Sequence, residues 1–162
     1  MMTKKDSFSL AVESFDRAYQ MHLKGNIESA IKEYQTSIDI FPTAKAYTFL
    51  GWAYSLQSNF ELAIEECKNA IKLEPEYSNP YNDIGTYLLN LGRDDEAIGW
   101  FEKALEMKDQ NVNHLSYFNL GKIFEKKGKW LKALSYFNDA IMNNPDYEPA
   151  QDEIIRLSTL LN

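Results

Sequence analysis

The chain repeats itself. The same arrangement recurs around three glycines: Tyr47-x-x-Leu50-Gly51-x-x-Tyr54, Tyr81-x-x-Ile84-Gly85-x-x-Leu88 and Tyr117-x-x-Leu120-Gly121-x-x-Phe124. Further along each unit come an alanine (Ala63, Ala97, Ala133), a larger residue (Cys67, Phe101, Phe137) and another small one (Ala70, Ala104, Ala140). A weaker copy precedes them, with Ala18, Met21, Gly25, Ala30, Tyr34, Ser37 and Pro42 at matching offsets. Successive units are offset by 33, 34 and 36 residues, so the extra length falls near Asp109-Gln110-Asn111. A period of this size means a stack of similar structural units, each too small to bury its own apolar faces.

The recurring residue types have physical reasons. Two antiparallel helices, A and B, cross closely only where small residues meet, so Gly51, Gly85 and Gly121 can face Ala63, Ala97 and Ala133. Tyr47, Tyr81, Tyr117, Phe101 and Phe137 supply large apolar area to neighbouring helices. Gly25-Asn26, Ser58-Asn59, Gly92-Arg93 and Gly128-Lys129 carry turn chemistry between A and B. Pro75 and Pro145 end two of the units, with Asp109 in that place in the third. After Pro145, Glu148-Pro149-Ala150 starts a ninth helix, with proline tolerated in its first turn. Its residues Ala150, Ile154, Leu157 and Leu161 form one helical stripe, which predicts a cap over the last unit.

Four copies in register between Ala11 and Pro145 resemble the tetratricopeptide-repeat (TPR) family. The resemblance implies an all-α fold, a right-handed α-solenoid of four TPR helix–turn–helix repeats plus a C-terminal capping helix. The repeats are expected at about 11–43, 44–77, 78–113 and 114–147, within an array over 8–146. The cap is expected over 147–162, and residues 1–7 are expected to be a disordered lead-in.

Composition narrows the function. The net charge of −7 repels a phosphate backbone, so nucleic acid is excluded as the main partner. The single cysteine, Cys67, cannot build a disulfide framework and fits a cytoplasmic setting. No apolar run is long enough to cross a bilayer, so membrane insertion is not expected. Cys67 occupies the place of Phe101 and Phe137, which predicts a small core residue. His22 and His114 lack ligand-spaced neighbours and read as partly exposed helix residues, with no metal site. Glu65-Glu66 reads as a solvated face, and Asp94-Asp95-Glu96 as acids in a helix's first turn. No catalytic constellation and no cofactor-binding loop is present, and an enzyme is not expected.

The resemblance also implies a concave groove lined by the A helices, where another protein's peptide or helix would bind. Groove positions then fall at Phe15 and Tyr19, Thr48 and Trp52, Asn82 and Thr86, and Phe118 and Lys122, flanked by Asn79, Asp83 and Asn119. Phe15, Tyr19 and Trp52 look surplus to the core. They either contact a partner or pack between neighbouring A helices or against the N-terminal segment. The family's carboxylate clamp for chaperone C-termini is missing: Phe15 and Tyr19 stand at its first Lys and Asn, Phe49 at its next Asn, and Asn79 and Asp83 at its last Lys and Arg. The main expectation is a scaffold or adaptor. The alternatives are an assembly subunit that self-associates as a homo-oligomer, through the groove or through Ile155 and Leu160 of the cap, and a chaperone for secreted or assembling substrates.

Overall fold

The computed structural model describes residues 3–161. Among them are nine α-helices and no strand: α1 (Lys4–Leu23), α2 (Ile27–Ile40), α3 (Ala44–Leu56), α4 (Phe60–Leu73), α5 (Asn79–Asn90), α6 (Asp94–Glu106), α7 (Asn113–Lys126), α8 (Trp130–Asn143) and α9 (Glu148–Leu161). Each helix packs on its neighbours in sequence, while α5 also touches α3 and α7. This is an α-solenoid of four helix pairs with α9 laid over the last.

The four turns between paired helices share one geometry. Gly25, Gly92 and Gly128 take left-handed φ angles of 77°, 72° and 71°, and Ser58 takes 61°. The next N–H then reaches back to close the helix end: Asn26 donates to Met21, Asn59 to Tyr54, Arg93 to Leu88 and Lys129 to Phe124, all at 2.9–3.0 Å. Exposed ion pairs join successive turns one repeat apart: Arg93 to Glu61, Lys126 to Asp94, and Lys127 to Asp95.

Glycine makes room at the crossings, though not against alanine throughout. A Cβ on Gly51 would lie 2.9 Å from the carbonyl oxygen of Ala63, as the repeat pattern implies. At Gly85 the neighbour is instead the ring of Phe101, with Cε1 2.6 Å from a Cβ placed there. The absent side chain is the space that the next helix's aromatic ring fills.

The start of the chain departs from expectation. Residues from Lys4 onward form the first turns of α1 and not a disordered lead-in; Met1 and Met2 lie outside the described residues. The cause is a capping box. Thr3 Oγ1 accepts the Asp6 N–H at 3.1 Å, and Asp6 Oδ2 accepts the Thr3 N–H at 3.0 Å. Phe8 then meets Phe41 edge-on at 5.4 Å, which holds the added turns against the end of α2.

Two main clusters make up the core. The smaller joins Phe15, Ala18, Ala30, Tyr34, Ala46, Leu50 and Ala53. The larger runs from Ala63 and Cys67 through Ile84, Phe101, Leu120 and Phe137 to Leu157 of α9. Tyr54 packs on both. On α9, Ala150 and Leu157 are buried and Ile154 is half-buried, but Leu161 at the end of the stripe is exposed, one turn past the last contact.

Candidate functional site

Three A helices enclose a cleft of about 600 Å³. Seven of the residues expected in the groove line it: Thr48 and Trp52 from α3, Asn79, Asn82, Asp83 and Thr86 from α5, and Asn119 from α7. The arrangement follows from helical spacing, because Asn79, Asn82 or Asp83, Thr86 and Asn90 fall on one face of α5. Asn90 also lines the cleft and continues that stripe by one turn beyond the expected set. Phe49, Ser55, Phe60, Tyr87 and Leu115 complete the lining.

Four expected residues lie elsewhere. Phe15 is a core residue, only 8% exposed, with its ring 5.4 Å from that of Tyr34 and 5.1 Å from that of Phe49. Tyr19 is half-buried and meets Phe49 edge-on at 5.6 Å. Phe118 is half-buried between Phe137 and Tyr147, the latter just ahead of α9. Lys122 donates to Glu125 at 3.2 Å and to Glu153 of α9 at 2.8 Å, so the cap satisfies its charge. The two ends of the expected groove are therefore packed, and its middle is open.

Of the aromatics expected in the groove, Trp52 is exposed, at 39%. It rests on the His22 ring, with centroids 3.9 Å apart. His22 is buried, against the expectation of partial exposure, because the Trp52 and Tyr34 rings cover it. The Tyr34 hydroxyl lies 3.3 Å from His22 Nδ1, and desolvation holds the imidazole below its ordinary pKa.

The polar groups of the cleft differ in what they leave free. Thr48 and Thr86 donate their hydroxyls to carbonyls of their own helices, at 2.8 and 3.1 Å. Asn82 accepts from the buried Ser116 hydroxyl at 3.1 Å, tying α5 to α7. The half-buried Asp83 carboxylate receives one long hydrogen bond, from the Asn82 amide at 3.5 Å. Desolvation pushes its pKa up to about 7. Its charge adds to burial in raising three neighbours: the Cys67 thiol, the Tyr77 hydroxyl, pushed up to about 12, and the Tyr87 hydroxyl. Cys67 is fully buried and free, a core residue as expected. Glu66 is half-buried, and burial raises its pKa, so only Glu65 is a solvated carboxylate of that pair. Among the described residues no cluster of metal-ligating side chains is present, and no helix is long and apolar enough to cross a membrane.

Comparison with known proteins agrees with this architecture. Family models described as "Tetratricopeptide repeat" match residues 44–77 and 76–141. The mitochondrial import receptor subunit TOM70 of Homo sapiens is 30% identical over 129 residues, which is 78% of this chain and 21% of that protein. The chain thus spans only a small part of the length of the relatives it matches. A structure described as "Functional Characterization of Pseudomonas Aeruginosa pilF" aligns over 93% of this chain and 68% of its own, with a TM-score of 0.84 and 20% identity. Another, "Crystal structure of YrrB: a TPR protein with an unusual peptide-binding site", covers 89% and 74%, with a TM-score of 0.69 and 21% identity. Repeat pattern, stacked helix pairs and family models agree, and the chain belongs to the tetratricopeptide-repeat family.

Proposed function

We propose that the chain is a scaffold or adaptor that holds a peptide or helix of another protein in the cleft between α3, α5 and α7. One observation carries this reading. The cleft is lined by the exposed Trp52 ring together with side-chain amides of Asn79 and Asn119 that make no hydrogen bond within the described residues. An aromatic anchor with free amides around it suits a peptide, whose backbone needs donors and acceptors once desolvated. The peptide-binding site named for YrrB is in keeping with such a use. The buried, unpaired Cys67 fits a reducing cytoplasm as the working compartment. A pull-down from the native cell, repeated with Trp52→Ala and with Asn119→Ala, tests the proposal. A specific partner should be retained by the parent chain and lost by both folded variants. Equal capture by all three would place the binding surface outside the cleft.

A second reading is self-association through the cap. Ile155 and Leu160 of α9 are 67% and 62% exposed, and Leu160 borders a cleft of about 480 Å³ shared with Leu89, Trp130 and Leu157. Sedimentation velocity across a concentration series separates the two. A dimer that Leu160→Glu dissolves would favour assembly over adaptor function.

A further inference from the structure

Trp52, Phe49 and Phe60 give the cleft an aromatic side, and asparagines and threonines give it a neutral polar one. Asp83 is the lining residue that carries a carboxylate, and no Lys or Arg of the described residues pairs with it. Elsewhere, partly buried Glu125 and Glu153 share Lys122 and Arg156 between them. A carboxylate removed from water without a cation is costly, and the amide of Asn82 at 3.5 Å compensates little of that.

We infer, on the footing that the cleft holds a peptide, that it selects its partner by one basic side chain, lysine or arginine, seated on the Asp83 carboxylate. Such a head group neutralises Asp83, and the aromatic side favours a cation over a neutral group. The chain's net charge of −7 draws basic segments toward it at long range. The groups facing Asp83 do not compete in titration. Cys67 on α4, Tyr77 in the α4–α5 loop and Tyr87 on α5 are all raised above their ordinary values. The other side chains lining the cleft, from α3 and α7, are uncharged. Binding of the cation should therefore strengthen as pH rises through the titration of Asp83.

The test pans a phage-displayed library of random ten-residue peptides against the parent chain at pH 8. Recovered peptides are then titrated by fluorescence anisotropy against the parent, Asp83→Asn and Trp52→Ala. The recovered peptides should share one Lys or Arg. Replacing it with Gln should weaken binding to the parent about tenfold or more and leave binding to Asp83→Asn unchanged. Parent affinity should fall several-fold between pH 8 and pH 5.5, and that of Asp83→Asn should not. Peptides with no shared basic position, or a Gln replacement that costs the same in both proteins, would overturn selection by Asp83. In that case, loss of binding in Trp52→Ala would still uphold the cleft as a peptide site. Recovery of no peptide by the parent would overturn both readings.

Discussion

The carboxylate of Asp109 accepts the backbone N–H of Ser78 at 3.0 Å, fastening the loop after α6 to the start of α5. Ser78 offers no side-chain cap to that helix, so a residue from the next loop supplies the acceptor. Asp109→Ala should therefore lower stability by about 1 kcal/mol, the usual cost of a lost cap. Asp109→Asn, which keeps an acceptor oxygen, should recover most of it. Urea denaturation of the three proteins checks both expectations.

The crossing of α5 and α6 predicts opposite outcomes for one substitution at two glycines. Gly85→Ala puts a methyl group against the fully buried Phe101 ring and should cost about 1–3 kcal/mol of overpacking. The gain in helix propensity, about 1 kcal/mol, offsets only part of this. Gly99 in α6 has open space around it, so Gly99→Ala should gain that propensity undiminished. Denaturation midpoints that moved the same way in both variants would contradict the tight crossing.

Leu157 ties α9 into the larger core cluster with 1% of its surface exposed. Leu157→Ala should cost about 2–5 kcal/mol, as for other buried leucines. Ile155→Ala on the exposed side should fall within about 0.5 kcal/mol of the parent. Equal thermal melts for Leu157→Ala and the parent would show that α9 does not stabilise the stack.

Asp83 makes stability depend on pH with a definite sign. Its folded pKa, about 7, lies above the unfolded value near 3.8, so the folded chain holds the extra proton between those limits. Stability from this group should be greatest at the acid end of that window and fall as pH rises toward 7, with a slope of at most about 1.4 kcal/mol for each pH unit. Asp83→Asn should remove this slope and melt higher than the parent at pH 8. Thermal melts at pH 5 and pH 8 decide, and a parent melt that rises between those values with no difference in Asp83→Asn would contradict it.

The helices and turns were legible because backbone chemistry repeats. Gly25, Ser58, Gly92 and Gly128 stand at equivalent turns, and each adopts the left-handed angle its position demands. The middle of the cleft was legible for the same reason, since α5 places Asn79, Asn82, Asp83 and Thr86 by helical spacing alone. Phe15 was not, because its environment depends on residues distant in sequence. Ser14 is small where later repeats carry tyrosine, and the adjacent Phe15 is buried against Tyr34 and Phe49. Nor does a repeat pattern show that Glu153 of α9 claims Lys122, since the cap lies outside the repeat.

The divided core has a mechanical consequence. Because Tyr54 is a bridge between the two clusters, the stack has a seam near the α3–α4 pair. The first three helices, which share the smaller cluster, can open there as a unit while the rest stays closed, as local unfolding in contiguous blocks allows. Amide protons of α1 to α3 should then exchange with solvent as one fast group, ahead of those in α5 to α8. Trp52 lies on α3, so each opening also carries one side of the cleft away from α5. A ligand held by Trp52 would slow that exchange from a distance.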